Sequence, residues 1–206
     1  MQLNISYDKT VGNQIQPLIS ILSQFRKDVF SLPPYSYCFD VNAEEEYLQE
    51  YISNKHACLI CAKHNDEVIG VISGMPLGSN SNINKGSQVI FEKNSLKAGK
   101  FFYICEVIVL LPYRHQGVGE RLIQRIESHA RSLGIENSCL LTLTNKKTNS
   151  SRKTLWEKTG YMLTSMTEYY EWPTYIDHKA VIKTKHELVY WIKSYENIHD
   201  RLASLL

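Results

Sequence analysis

From Ile15 to Val29 the apolar side chains fall at Ile15, Leu18, Ile19, Leu22, Phe25 and Val29, a stripe with the spacing of one helix face. Ahead of it, residues 2–8 alternate loosely and predict a strand. Pro33 and Pro34 break the stripe. A second helix is expected from Asn42, since Asn42 and Glu45 have the spacing of a capping box, with Tyr47, Leu48, Tyr51 and Ile52 on its buried side. Residues 57–77 read as two strands around a turn at Asn65–Asp66, a β-hairpin. The polar stretch 78–100 predicts a long loop holding one short helix, and loops of that length are functional or mobile.

Residues 102–111 are apolar almost without interruption, as in a strand buried on both faces. Val118, Leu122, Ile126, Ala130 and Leu133 then mark a helix closed by Gly134. A strand at 138–144, a short helix at 149–158 and an antiparallel strand pair at 161–173 and 186–195 complete the order β-α-α-β-β-β-α-β-α-β-β. This pattern predicts one mixed α/β domain over residues 1–206, with 196–206 as a C-terminal tail or helix.

Composition narrows the function classes. The 206 residues suffice to bury a self-sustaining core. With 23 basic and 21 acidic side chains, a net charge of +2 gives no electrostatic reason to expect nucleic acid or a membrane surface as partner. No apolar run approaches the ~18 residues of a membrane span, and no signal peptide is visible, so a cytoplasmic location is expected. The odd cysteine count of five suggests free thiols. Cys58 and Cys61 form a C-x-x-C, yet they lie three apart in a strand-like run and so point to opposite faces. No second pair completes a zinc set, and no metal is expected.

The chemistry concentrates between the buried strand and its helix, in the sequence Arg114-His115-Gln116-Gly117-Val118-Gly119-Glu120. Main-chain N–H groups at a helix start lack intrahelical partners and favour negative charge. Glycines there let those donors close around a phosphate or pyrophosphate, and Arg114 can add a charge-assisted contact. Neither G-x-G-x-x-G nor G-x-x-x-x-G-K-[ST] is present. Read alone, the pattern is equally a tight strand-to-helix turn.

In its context the stretch resembles the GNAT superfamily of N-acetyltransferases, whose V-x-P-x-x-R-x-x-G-x-[GA] loop grips the pyrophosphate of acetyl-CoA. Val109 and Arg114 stand at the family spacing, Pro112 lies one place late, and His115 replaces a common glycine. A second family motif, N-x-x-A-x-x-L-Y-E-K-x-G-F, is matched in spacing from Asn149 to Tyr161. Three further stretches, around residues 25–52, at the Gly74–Leu77 end of the hairpin and at 183–193, look like a poorly characterised subgroup. The resemblance implies the GNAT fold: a mixed sheet of about six to seven strands, with a bulge or splay beside the loop, flanked by about four helices.

It also implies site residues. The backbones of Val107 and Val109 are expected to bond the pantetheine arm of acetyl-CoA, donors from His115, Gln116, Gly117, Val118, Gly119 and Glu120 the pyrophosphate, and Asn149 the cofactor arm. Transfer to an amine needs its neutral form, whereas an alkylamine has a pKa near ~10. Glu106, a charge inside an apolar strand, is the candidate base or substrate anchor, weighed against a structural ion pair. Trp156 stands where relatives carry an acidic tyrosine and is expected to pack beside the cofactor. Tyr113, Tyr161 or water are the substitutes considered for that tyrosine. The expected acceptor is an amine of a small molecule or protein, and a homodimer is compatible. Glu44, Glu45 and Glu46 read either as a solvated helix start or as an acidic rim for a cationic amine. The alternative to a transferase is a catalytically silent module that binds CoA as a sensor.

Overall fold

The computed structural model describes residues 4–79, 85–144, 154–176 and 180–195. The expectations for Asn149 and for the tail 196–206 lie outside them. The elements are β1 (Ser6–Val11), α1 (Ile19–Phe30), α2 (Val41–Ser53), β2 (Cys58–His64), β3 (Glu67–Pro76), α3 (Lys85–Lys93), β4 (Phe101–Val109), α4 (Val118–Ser132), β5 (Asn137–Leu143), α5 (Leu155–Lys158), β6 (Met162–Ile176) and β7 (Ala180–Ser194). A 3-10 turn over Gly12–Leu18 leads into α1. The strands form one seven-stranded sheet in the order β1-β2-β3-β4-β5-β7-β6. All neighbours are antiparallel except β4 and β5.

Helix α4 shows how the sequence builds the frame. Its apolar stripe buries Val118, Leu122, Ile123, Ile126 and Ala130 against Ile60, Ile69, Ile72 and Phe102, each worth about 1.5–3 kcal/mol for the larger side chains. Gly134, at φ +74°, ends it: Ile135 N–H bonds the Ala130 carbonyl at 3.1 Å and Gly134 N–H that of Arg131 at 2.9 Å. Helices α1 and α2 cover the other face through Leu22, Phe25, Leu48 and Tyr51, and α3 covers its β5–β7 end through Phe91. Cys58 and Cys61 are free, buried and on opposite faces, and burial pushes their thiols up to about 12 and about 11.

The helix α2 start departs from the sequence reading. Asp40, not Asn42, is the cap: its Oδ1 accepts from the N–H groups of Asn42 at 2.9 Å and Ala43 at 3.2 Å. Two acceptors stood two residues apart, and the chain uses the earlier one because Asn42 already lies inside the first turn.

Two irregularities of β4 create the site. Opposite Ser73 and Gly74 the pairing jumps from Glu106 to Ile104, so Cys105 is the extra residue of a β-bulge. Before the bulge the even residues Phe102 and Ile104 face α4; after it the odd residues Val107 and Val109 do. The bulge therefore turns Glu106 toward α1 and α2 instead of into the apolar core. Moreover, β4 pairs with β5 only from Phe101 to Tyr103. Beyond Tyr103 the two strands part.

Candidate active site

Beside the unpaired end of β4 lies a cavity of about 900 Å³ lined by Val107, Val109, Arg114, Gly119, Leu155 and Lys158, among others. Its strand wall carries usable polar groups. Leu110 N–H donates to the Ile69 carbonyl at 2.9 Å, and Val109 stands opposite Gly70. Antiparallel bonding alternates, so Ile108 bonds Val71 while the N–H and C=O groups of Val107 and Val109 face away from β3, into the gap.

At the far end of the cavity stands the start of α4. Its first intrahelical bond runs from Arg121 N–H to the Gly117 carbonyl at 3.1 Å, and no side chain among the described residues caps it. The N–H groups of Val118, Gly119 and Glu120 therefore have no helical acceptor. Gly117 holds φ +78° with open space around it, a conformation costly for any other residue. Gly119 serves differently: a Cβ there would stand 3.2 Å from Leu155, so this glycine lets α5 close on α4. His115 takes φ +61° and lines the cavity with Arg114 and Lys158, three basic side chains beside the helix start. Gln116 turns away and donates to the Pro112 carbonyl at 2.9 Å.

Glu106 is placed where it cannot meet a substrate directly. Its side chain is 0% exposed. Its Oε1 accepts from Arg26 and from the Tyr47 hydroxyl, and its Oε2 from Ser73 and from the Tyr51 hydroxyl at 2.8 Å. Arg26 also bonds Glu44 at 2.5 Å and lies 4.0 Å over the Tyr47 ring. Burial alone would lower the Arg26 pKa, but its neighbours Tyr47, Glu106 and Glu44 hold it well above the usual guanidinium value. Glu44 is pushed up by burial against the pull of Arg26. It is 3% exposed, so it is neither a solvated helix start nor an open rim. A run of three glutamates hides this in the sequence, because only the helix period decides which one faces inward.

The remaining expectations separate. Trp156 is absent from the cavity wall and packs edge-on to Tyr161, with ring centres 5.8 Å apart. The short helix α5, opened by the capping box of Thr154 and Glu157, turns Leu155 and Lys158 to the cavity instead. Tyr161 is buried and bonded to Ser138 at 2.6 Å, whereas Tyr113 lines the cavity. The sequence reading missed Arg26, although a charge beside Phe25 on the stripe of Leu22 and Val29 was a usable signal.

A family model described as the acetyltransferase (GNAT) family matches residues 23–161. The structure of Arabidopsis thaliana NAA60 with a bisubstrate analogue is 14% identical over 94% of this chain and 100% of its own, with a TM-score of 0.59. A GNAT-family acetyltransferase of Desulfovibrio desulfuricans is 11% identical over 93% and 99%, at 0.57. Arabidopsis thaliana Naa50 with the bisubstrate analogue CoA-Ac-MVNAL is 17% identical over 93% and 99%, at 0.54. These likenesses speak for the fold. No curated protein matches the sequence.

Proposed function

Because the chain belongs to the GNAT acetyltransferase family, we propose that it is an N-acetyltransferase that uses acetyl-CoA to acetylate the amine of an acceptor, with both substrates held at once. The observation that carries this reading is the parting of β4 from β5 directly beside an uncapped helix start. An open strand edge suits an extended, amide-bearing arm, and free N–H groups suit a pyrophosphate. Acetyl-CoA, when bound, supplies an acetyl thioester whose carbonyl carbon bonds the amine nitrogen as the carbon–sulfur bond breaks and its electrons pass to sulfur.

The protein's part is to hold and orient. Val107 offers N–H and C=O and Val109 its N–H, since the Val109 carbonyl already accepts from Arg114 Nε at 2.8 Å. The N–H groups of Val118, Gly119 and Glu120, with Arg114, His115 and Lys158, hold the phosphates, and Asn149 is assigned to the arm by the family motif. Glu106 carries four hydrogen bonds, so we assign it to holding α1 and α2 on the bulge. The amine proton then leaves to water. A thiol of pKa about ~8.5 departs as thiolate without an acid, so Trp156 does not block the reaction. The single domain and the small-molecule or protein amine acceptor of the sequence reading belong to this proposal.

The sealed Glu106 and the placement of Trp156 favour one second reading, a CoA-binding sensor without turnover. Incubating the protein with acetyl-CoA and a panel of primary amines, followed by mass spectrometry, separates the two. Acetylated amine supports the transferase, and tight acetyl-CoA binding without product from any amine supports the sensor.

A further inference from the structure

The donor-binding end of the cavity lies at α4, so the reacting end of an extended donor points along β4 toward Cys105, two residues short of Tyr103, where β4 and β5 rejoin. Cys105 packs against both apolar clusters of this face, one under α1 and α2 and one under α3, and so marks the seam between them. Tyr103 and Tyr190 pack in the cluster under α3 and Tyr47 against the one under α1 and α2, and the Tyr103 hydroxyl has Tyr170, Tyr190 and Tyr47 as electrostatic neighbours along with Cys105. Two carboxylates flank these tyrosines. On the α2 side stands Glu106, sealed by Arg26. On the β6 side stands Glu168, half-buried and without a cationic partner among the described residues.

We infer that Glu168 captures the acceptor as its ammonium, which makes the acceptor a basic primary alkylamine whose nitrogen reacts only after its proton has left to water. This rests on the transferase reading of the same site. Alternation along β6 puts Glu168 on the face of Met166 and Tyr170. Its Oε2 accepts from the Tyr190 hydroxyl and from Ser87 Oγ at 3.1 Å. Burial with Glu168 nearby pushes the Tyr170 and Tyr190 hydroxyls upward, so both stay neutral. Gly86 makes room for it: a Cβ there would stand 2.0 Å from Glu168 Oε1. A carboxylate beside the half-buried Tyr170 offers an ammonium an ion pair with an aromatic neighbour.

The test titrates CoA-loaded protein with 1,5-diaminopentane by calorimetry and, in separate incubations with acetyl-CoA as donor, follows the acetylation of the diamine by mass spectrometry. Binding is expected for the wild type, weakened about tenfold or more by Glu168→Gln. CoA affinity should stay unchanged, and Glu171→Gln, on the opposite face of β6, should bind as the wild type. A merely structural role for Glu168 would lower the melting temperature and leave diamine affinity alone. The inference is overturned if the diamine does not bind, or binds wild type and Glu168→Gln alike. Binding without acetylation of the diamine or any other amine overturns the transferase reading and leaves the anchor. Acetylation of the weakly basic aniline with no diamine binding does the reverse.

Discussion

Arg114 Nε donates to the Val109 carbonyl at 2.8 Å, tying the side chain of the helix-start loop to the end of the open strand. The bond fixes one nitrogen of the guanidinium and leaves the others for an anion at the start of α4. Arg114→Ala should therefore weaken acetyl-CoA binding about tenfold to a hundredfold. Arg114→Lys should recover only part of this, since an ammonium is a point charge without the planar fork. Isothermal calorimetry reads both.

The network around Glu106 makes a stability prediction. Glu106→Gln leaves Arg26 buried with Glu44 as its remaining anion and should cost about 3 kcal/mol in denaturant unfolding. Arg26→Met combined with Glu106→Gln should cost less than the sum of the single changes, because the stranded charge is gone. A Glu106→Gln protein of unchanged stability that transfers no acetyl group would instead make Glu106 the base.

Gly74 sits beside the bulge, and a Cβ there would stand 2.5 Å from the Tyr103 carbonyl oxygen and 2.6 Å from the Phe102 ring. Backbone cannot yield as a side chain does. Gly74→Ala should cost about 2 kcal/mol or more and weaken acetyl-CoA binding as the bulge shifts. Gly99→Ala, with nothing within 4 Å, should stay within about 0.5 kcal/mol of the parent. Thermal melts of the two variants check the contrast.

Burial lowers the pKa of His129 below 6.5, and that of His186 likewise. Below 6.5 the unfolded imidazoles take up protons that the folded ones resist, so the unfolded state binds more protons and stability falls as pH drops. Unfolding midpoints between about pH 7.5 and about pH 5.5 should decline. His129→Gln should flatten that decline.

How much of this was legible in the sequence follows from the range of each interaction. The loop from Arg114 to Gly119 was readable because strand, glycines and helix stripe are local. The hidden charge of Glu44 was not, because its partner Arg26 comes from another helix. The orientation of Glu106 depends on one extra residue in β4 that only pairing with β3 reveals. Glu168 looks in the sequence like one more polar position of an alternating strand, and its surroundings come from α3 and β7.

The central claim, that the parted strands and the α4 start form an acetyl-CoA site, is tested most directly by titrating acetyl-CoA into the wild type and into Gly117→Glu. The substitution places a negative side chain at the uncapped helix start, in a position held at φ +78°. The account predicts saturable one-to-one binding to the wild type and a loss of at least about a hundredfold in the variant. Equal affinity in the two proteins, or no binding to the wild type, would contradict it.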